Sequence, residues 1–329
     1  MIAIITITVI LALTFDFING FHDTANSIAT AVSTRALSTR HAIILAACMN
    51  FLGAVMFTGV AETIATQIVN LDELSHGSYV IIAALISAIM WNLLTWFIGI
   101  PSSSSHTLIG SLAGAALCDA GMSSIKWHGF ISIVESLIFS PVIAFVAGYL
   151  MFTLFKLLFS NFNLHRTNNV FRKIQIVTAA IQSFSHGTND AQKSMGIITM
   201  SLVSGGLIAE GHIPLWVQVS CAAAMAFGAS LGGWRIIKTV GTQIMKIRPV
   251  NGVAADLASA TVIFTASHIG LPVSTTHVIS SSIMGVGSAY RIRAVKWDTG
   301  RRMIITWFIT IPISAVIAAL IFRIILIFV

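Results

Sequence analysis

The feature that most constrains this chain is a polar stretch that occurs twice inside otherwise apolar runs. The first copy reads Phe17-Ile18-Asn19-Gly20-Phe21-His22-Asp23-Thr24-Ala25-Asn26-Ser27, and the second reads Ser185-His186-Gly187-Thr188-Asn189-Asp190-Ala191-Gln192-Lys193-Ser194. A second matched pair follows them: Gly99-Ile100-Pro101-Ser102-Ser103-Ser104-Ser105-His106 and Gly270-Leu271-Pro272-Val273-Ser274-Thr275-Thr276-His277. Smaller echoes keep the same order. Thr66-Gln67-Ile68 matches Thr242-Gln243-Ile244, Lys126-Trp127 matches Lys296-Trp297, and each of the latter is followed by an apolar run with one proline, Pro141 or Pro312. The chain therefore divides into a first repeat over residues 1–159, a linker over 160–173 and a second repeat over 174–329.

The solvent of these repeats is a bilayer. Only 9% of the 329 residues are charged and 56% are hydrophobic, against about 25% charged in a soluble domain, and the mean hydropathy is +0.92. Apolar runs fall near residues 1–34, 41–60, 78–98, 100–119, 128–158, 174–208, 214–233, 252–269, 273–289 and 303–328, most of them near the roughly 20 residues that cross a core of about 30 Å. The net charge of +7 sits in short loops and orients a membrane protein; it is no stripe for nucleic acid. Basic loops (Arg35 and Arg40; Lys156, Arg166, Arg172 and Lys173; Arg235, Lys238, Lys246 and Arg248; Arg291 to Arg302) alternate with loops holding Glu62, Asp72, Glu73 or Glu210. With the basic loops cytoplasmic, the runs give ten crossings with both termini outside. No Lys or Arg precedes Arg35, so the first run reads as a retained span rather than a signal peptide. Cys48, Cys118 and Cys221 lack metal-ligand spacing and read as small core residues.

Five crossings per repeat is an odd number, so the second copy enters upside down. An inverted repeat places substrate and coupling-ion sites near the midplane, where the halves meet. As helix, residues 1–15 reach only about 22 Å and residues 25–34 only about 15 Å. The stretch from Asn19 to Asn26 is therefore expected to interrupt the first helix within the membrane, and its copy around Asp190 to do the same. Irregular backbone at that depth must line a cavity or lie within protein, and an ionisable group there is a functional candidate. Asp23 and Asp190, with Asn26 and Asn189, supply the carboxylate and neutral oxygens that hold Na⁺ or accept a proton. The two Pro-Ser/Thr stretches are expected to start helices whose N–H groups and hydroxyls bind an anion. Two of them facing each other beside cation-holding carboxylates suit phosphate or sulfate, with Lys193 as the one fixed positive charge within the motifs.

Blander readings apply to single residues. Ser/Thr clusters in membrane helices also bond their own backbone, His22, His106, His186 and His277 read as satisfied polar groups, and Gly110, Gly114, Gly285 and Gly287 read as close-packing surfaces. Asp16 reads as either functional or merely paired. Duplication at matching positions is what lifts Asp23, Asp190 and the two hydroxyl stretches above that background.

These residues resemble the paired G-A-N-D-V-A-N-A signature of the PiT inorganic phosphate transporters, over nearly the full length of the chain. The resemblance implies an all-α polytopic membrane protein with an inverted-topology repeat, two broken helices and two re-entrant hairpins. It implies a homodimer in the cytoplasmic (inner) membrane. It implies a symporter that imports inorganic phosphate with H⁺ or Na⁺, with a divalent metal as a further passenger of the anion and no cofactor. Carried onto this sequence, Asp23, Asp190, Asn26 and Asn189 take the coupling cation, with Na⁺ the metal ion they would hold. Ser103, Ser104, Ser105, Ser274, Thr275 and Thr276, with Lys193, Asn26 and Asn189, surround phosphate. Two departures stand out: His22 replaces an amide in the first signature, and Lys193 replaces one in the second. The lysine stands in for a coupling cation or strengthens anion binding, and both H⁺ and Na⁺ stay open. A sulfate symporter of the same fold and an ion channel are the alternatives. No catalytic residue is expected, because no G-x-S-x-G elbow or cofactor motif is present.

Overall fold

The computed structural model describes residues 2–99, 101–159, 164–231, 233 and 237–328. Ile100, Arg235 and the start of the linker from Ser160 lie outside them. Among the described residues the chain is helical, with one isolated antiparallel bridge between Val69 and Ile125. The long elements are α1 (Ile2–Ser33), α2 (Thr39–Met56), α4 (Gly77–Ile98), α5 (Ser104–Ala120), α6 (Trp127–Phe159), α7 (Leu164–Ser204), α8 (Leu215–Leu231), α9 (Pro249–His268), α10 (Thr275–Tyr290) and α11 (Trp297–Ile325). Each of the ten apolar runs is thus one helix. The short α3 (Gly59–Gln67) and, in the second half, a π-helical turn (Thr239–Gln243) were not expected. The linker residues from Leu164 onward belong to α7.

Among the described residues six helices, α1, α2, α4, α6, α9 and α11, are long and apolar enough to cross a membrane, and the protein is a multi-pass membrane protein. Of the remaining runs, α7 has 41 residues and α8 has 17. α5 and α10, of 17 and 16 residues, measure about 25 Å at 1.5 Å per residue. Each follows a chain reversal. Gly99 (φ 77°) ends α4 with its N–H on the carbonyls of Thr95 and Trp96. Gly270 (φ 76°) takes the same left-handed conformation after α9, one that side chains with a Cβ rarely adopt. The α4–α5 and α9–α10 pairs are therefore helical hairpins.

The expected interruptions are absent. α1 runs unbroken through Asn19–Asn26, and α7 through His186–Lys193. The physical reason lies in the glycines. A Cβ on Gly20 would strike the carbonyl oxygen of Met225 in α8, and one on Gly187 would strike that of Asn50 in α2. From the other side of the same seams, a Cβ on Gly228 would strike the carbonyl of Phe17, and one on Gly53 that of Phe184. The motif glycines let helix backbones touch, which is the use of small residues between membrane helices. The polar side chains of the motif find partners on neighbouring helices while their backbone stays helical.

The packing repeats as the sequence does. α1 lies on α8, α4 and α7, and α7 lies on α2, α9 and α1; α5 packs on α11 and α4, and α10 on α6 and α9. Exchanging α1, α2, α4, α5 and α6 for α7, α8, α9, α10 and α11 maps these pairs onto themselves. Small contacts follow suit: Lys126 Nζ donates to the Thr66 carbonyl and Lys296 Nζ to that of Thr242. Two apolar clusters fill the bundle. One holds Ile5, Ala12 and Phe15 of α1, the other Ala25, Ile28 and Ala29, so the polar stretch of α1 falls between them.

Replacing Gly228 by Val should push α8 off α1 and cost about 1–3 kcal/mol, read as a lowered melting temperature of the detergent-purified protein. Gly206→Asn, at an open turn whose φ of 67° Asn tolerates better than most side chains, should lower that temperature less than Gly228→Val does.

Candidate functional site where the two halves meet

Four helices deliver side chains to the gap between the apolar clusters: α1 and α7 through their polar stretches, α5 and α10 through their first turns. Both short helices are capped alike. Ser103 Oγ accepts from His106 N at 3.1 Å, and Ser274 Oγ accepts from His277 N at 3.3 Å. The caps satisfy one of the unpaired donors each helix start would otherwise leave buried. With the caps so used, the next residue of each helix turns to a carboxylate. Ser104 Oγ donates to Asp23 Oδ2 at 2.7 Å, and Thr275 Oγ1 donates to Asp190 Oδ2 at 3.1 Å. These are equivalent bonds in the two halves.

One residue further the halves diverge. Thr276 Oγ1 donates across the halves to Asp23 Oδ1 at 2.9 Å and accepts from Asn26 Nδ2 at 2.9 Å. Ser105 Oγ instead donates to the Val273 carbonyl at 2.8 Å, tying one hairpin to the other. Asn189 also serves the hairpin: its Nδ2 donates to Ser267 Oγ at 3.0 Å, and its Oδ1 accepts from Val273 N at 3.2 Å. Among the expected ligands, then, Ser104, Thr275, Thr276, Asn26, Lys193, Asp23 and Asp190 form one cluster. Ser103, Ser274, Ser105 and Asn189 build its frame. All eleven are buried, none more than 1% exposed.

The two carboxylates have different company. Asp23 pairs with His22 Nδ1 at 2.6 Å in addition to the two hydroxyls, and His22 Nε2 lies 3.4 Å from Thr95 Oγ1. Asp190 Oδ1 meets Lys193 Nζ at 2.6 Å. Its Oδ2 accepts from Asn19 Nδ2 at 3.4 Å and lies 3.2 Å from His186 Nε2. Lys193 Nζ also donates to Ser104 Oγ at 3.3 Å, so one ammonium links the second half's carboxylate to the first half's hairpin. An ion pair this deep tolerates the loss of neither partner, because the remaining charge would be buried alone.

Asn19, Asp23 and Asn26 occupy positions i−4, i and i+3 of α1, so they share a face. His186, Asp190 and Lys193 occupy the same positions of α7. The first face is rich in acceptor oxygens, and Asn19 Oδ1 and Asn26 Oδ1 are buried without a hydrogen-bond partner. The second is rich in donors. Hard cations take oxygen ligands, and helix starts with hydroxyls take anions, so the centre offers both chemistries side by side.

Sequence reasoning passed over several participants. His22 and His186, read as ordinary polar residues, touch the carboxylates directly, and His186 Nδ1 is held by Asn50 Oδ1 at 2.8 Å. Asp16 is paired, its Oδ1 accepting from Ser194 Oγ at 2.7 Å. Asp256 was missed altogether. It is buried in α9 and accepts from Thr30 Oγ1 at 2.6 Å and from Thr178 Oγ1 at 3.0 Å. The signal that marked Asp23, a lone carboxylate in an apolar run, was available for Asp256 too, but no second copy drew attention to it.

Known proteins resemble this chain over nearly its whole length. The model of the phosphate transporter family matches residues 19–318. A protein of Bacillus subtilis (strain 168) described as a "Probable low-affinity inorganic phosphate transporter" is 61% identical over 96% of this chain and 96% of its own length. A protein of Rhizobium meliloti (strain 1021) with the same description is 46% identical over 94% of this chain and 92% of its own. Among solved structures, one described as "The sodium-dependent phosphate transporter" superposes with a TM-score of 0.92 at 27% identity, covering 99% of this chain and all of that one. These relatives are transporters, which removes the enzyme class, and the chain belongs to the phosphate transporter family.

Proposed function

We propose that this protein is a secondary active symporter that imports inorganic phosphate together with H⁺ or Na⁺ by alternating access, its two halves inverted with respect to the membrane and its hairpins re-entrant. The observation that carries the reading is the meeting of two duplicated carboxylates with two hydroxyl-bearing helix starts in one buried cluster. The carboxylates hold the coupling cation, mainly through Asp23 and the amide oxygens beside it. Ser104, Thr275 and Thr276, with the N–H groups of the first turns of α5 and α10, take the phosphate oxygens once their present bonds to Asp23 and Asp190 are released. Phosphate is favoured over sulfate by the descriptions of the relatives, and a cation-driven cycle by that of the sodium-dependent neighbour. A homodimer is part of the same reading.

The hydroxyl bonds to the carboxylates give the cycle a closed resting arrangement. A cation at Asp23 would compete for the oxygens that Ser104 and Thr276 now engage and so free those hydroxyls for the anion. Cation and anion would then bind with positive coupling, as a symporter requires.

Proteoliposomes containing the protein should accumulate radiolabelled phosphate under an imposed Na⁺ or pH gradient, unaffected by excess unlabelled sulfate. Asp23→Asn should abolish accumulation in a protein that still elutes as a folded species; accumulation at the parent rate by that variant would dismiss the role of Asp23. Ser104→Ala and Thr276→Ala, each losing one hydroxyl to a charged partner worth about 1.5–3 kcal/mol, should raise the KM for phosphate by roughly tenfold or more.

A further inference from the structure

We infer that Lys193 is a cation built into the chain, filling at Asp190 the place that its counterpart Asp23 leaves to a transported ion, so that the transporter couples phosphate to one cation fewer than its two carboxylates would allow. The inference rests on the symport reading above and specifies its stoichiometry. The two motif faces occupy the same positions of α1 and α7 and differ in the character of their side chains. On α1 the face is Asn19, Asp23, Asn26, and two amide oxygens on it are buried without a donor. On α7 it is His186, Asp190, Lys193, where an ammonium stands 2.6 Å from one carboxylate oxygen and the other oxygen faces Thr275, Asn19 and His186. Asp190 thus has its charge matched and both oxygens occupied from within the protein.

Lys193 is among the largest fully buried side chains of the protein, at 1% exposure. It neutralises Asp190 and bonds Ser104, so its position is fixed from both halves. A cation arriving from solution at Asp190 would have to displace a tethered charge already at contact distance, and the tether makes the effective concentration of that charge high. Among the described residues no lysine or arginine pairs with Asp23, and Lys193 reaches it only through the Ser104 hydroxyl. Its partners are two hydroxyls and the His22 imidazole, none of them a permanent charge like that of a lysine, and the place of one is open to a mobile ion. The same lysine, held between the carboxylate and the hairpin hydroxyl, is also a positive charge beside the proposed anion oxygens, and the charge of phosphate is balanced in part without spending a transported cation.

The test counts sodium ions. Equilibrium binding of radioactive Na⁺ to the purified full chain is compared for the parent, Lys193→Asn (the amide that Asn26 supplies on α1), Lys193→Arg and the double variant Lys193→Asn/Asp190→Asn. Lys193→Asn should bind about one Na⁺ more per chain than the parent, while Lys193→Arg and the double variant keep the parent count. In proteoliposomes, Na⁺ activation of phosphate uptake by Lys193→Asn should be steeper than in the parent by about one unit of Hill coefficient. Equal Na⁺ counts in the parent and Lys193→Asn would overturn the inference. So would a Lys193→Asn protein that fails to fold at any Na⁺ concentration while the double variant folds, because a vacated site that Na⁺ can occupy should be rescued by Na⁺. If the counts differ as expected but the parent accumulates no phosphate, the symport reading falls and the assignment of Lys193 stands.

Discussion

Everything near the centre of this molecule answers to the burial of two carboxylates in a bundle whose surroundings are apolar. An ionised carboxyl group away from water is costly unless it is paired and hydrogen-bonded. Asp23 and Asp190 are 1% and 0% exposed, and each is wrapped by groups from at least three helices. Asp23 draws on His22 of its own helix, Ser104 of α5 and Thr276 of α10. Asp190 draws on His186 and Lys193 of its own helix, Thr275 of α10 and Asn19 of α1. The requirement explains why the hairpins come to the centre at all: their first turns carry the hydroxyls that the carboxylates need. It also explains why the caps at Ser103 and Ser274 matter, since they satisfy buried backbone donors and leave the neighbouring hydroxyls for the acids.

The near-symmetry of the cluster shows where the two copies differ. The bonds from Ser104 to Asp23 and from Thr275 to Asp190 are the shared plan. Departures from it follow single residue changes: an amide at 26 against an ammonium at 193, and an imidazole at 22 against an amide at 189. Asn189 holds the second hairpin through Ser267 and Val273, whereas its copy-one counterpart His22 pairs with Asp23. Lys193 takes one oxygen of Asp190, and Thr276 reaches over to Asp23 rather than to the acid of its own half. With the third difference, an amide at 19 against an imidazole at 186, one acid is held by donors without fixed charge and the other by a lysine as well as an imidazole.

Much of this was legible in the sequence. Low charge and recurring apolar runs gave one helix per run, and the duplication singled out the two acids and the hydroxyl stretches that meet them. What the sequence concealed follows from how side chains and backbone share the work. A glycine and several polar residues inside a hydrophobic run looked like a break in the helix. Gly20 and Gly187 serve close helix contact instead, and the polar groups are satisfied sideways by Thr276, Ser104 and Asn50 on other helices, which no local pattern can announce. The histidines escaped for the same reason: a lone His in an apolar run gives no sign of whether a carboxylate stands beside it. Asp256 escaped because duplication was the filter, and its partners Thr30 and Thr178 lie on helices far away in sequence.

The glycine seams bear on how such a molecule can change shape. α1 meets α8 at Gly20 and Gly228, and α2 meets α7 at Gly53 and Gly187. α5 meets α11 where Gly110 and Gly114 lie against Ile311 and Ala315, and α6 meets α10 where Gly285 lies against the carbonyl of Phe145. Every one of these backbone-to-backbone contacts joins a helix of one repeat to a helix of the other. A rocking motion that swung one repeat as a block past the other would have to unzip all four at once. Bodies able to slide without parting these seams would each be stitched from helices of both repeats, and any hinge would run between seams rather than between the first and second halves of the chain.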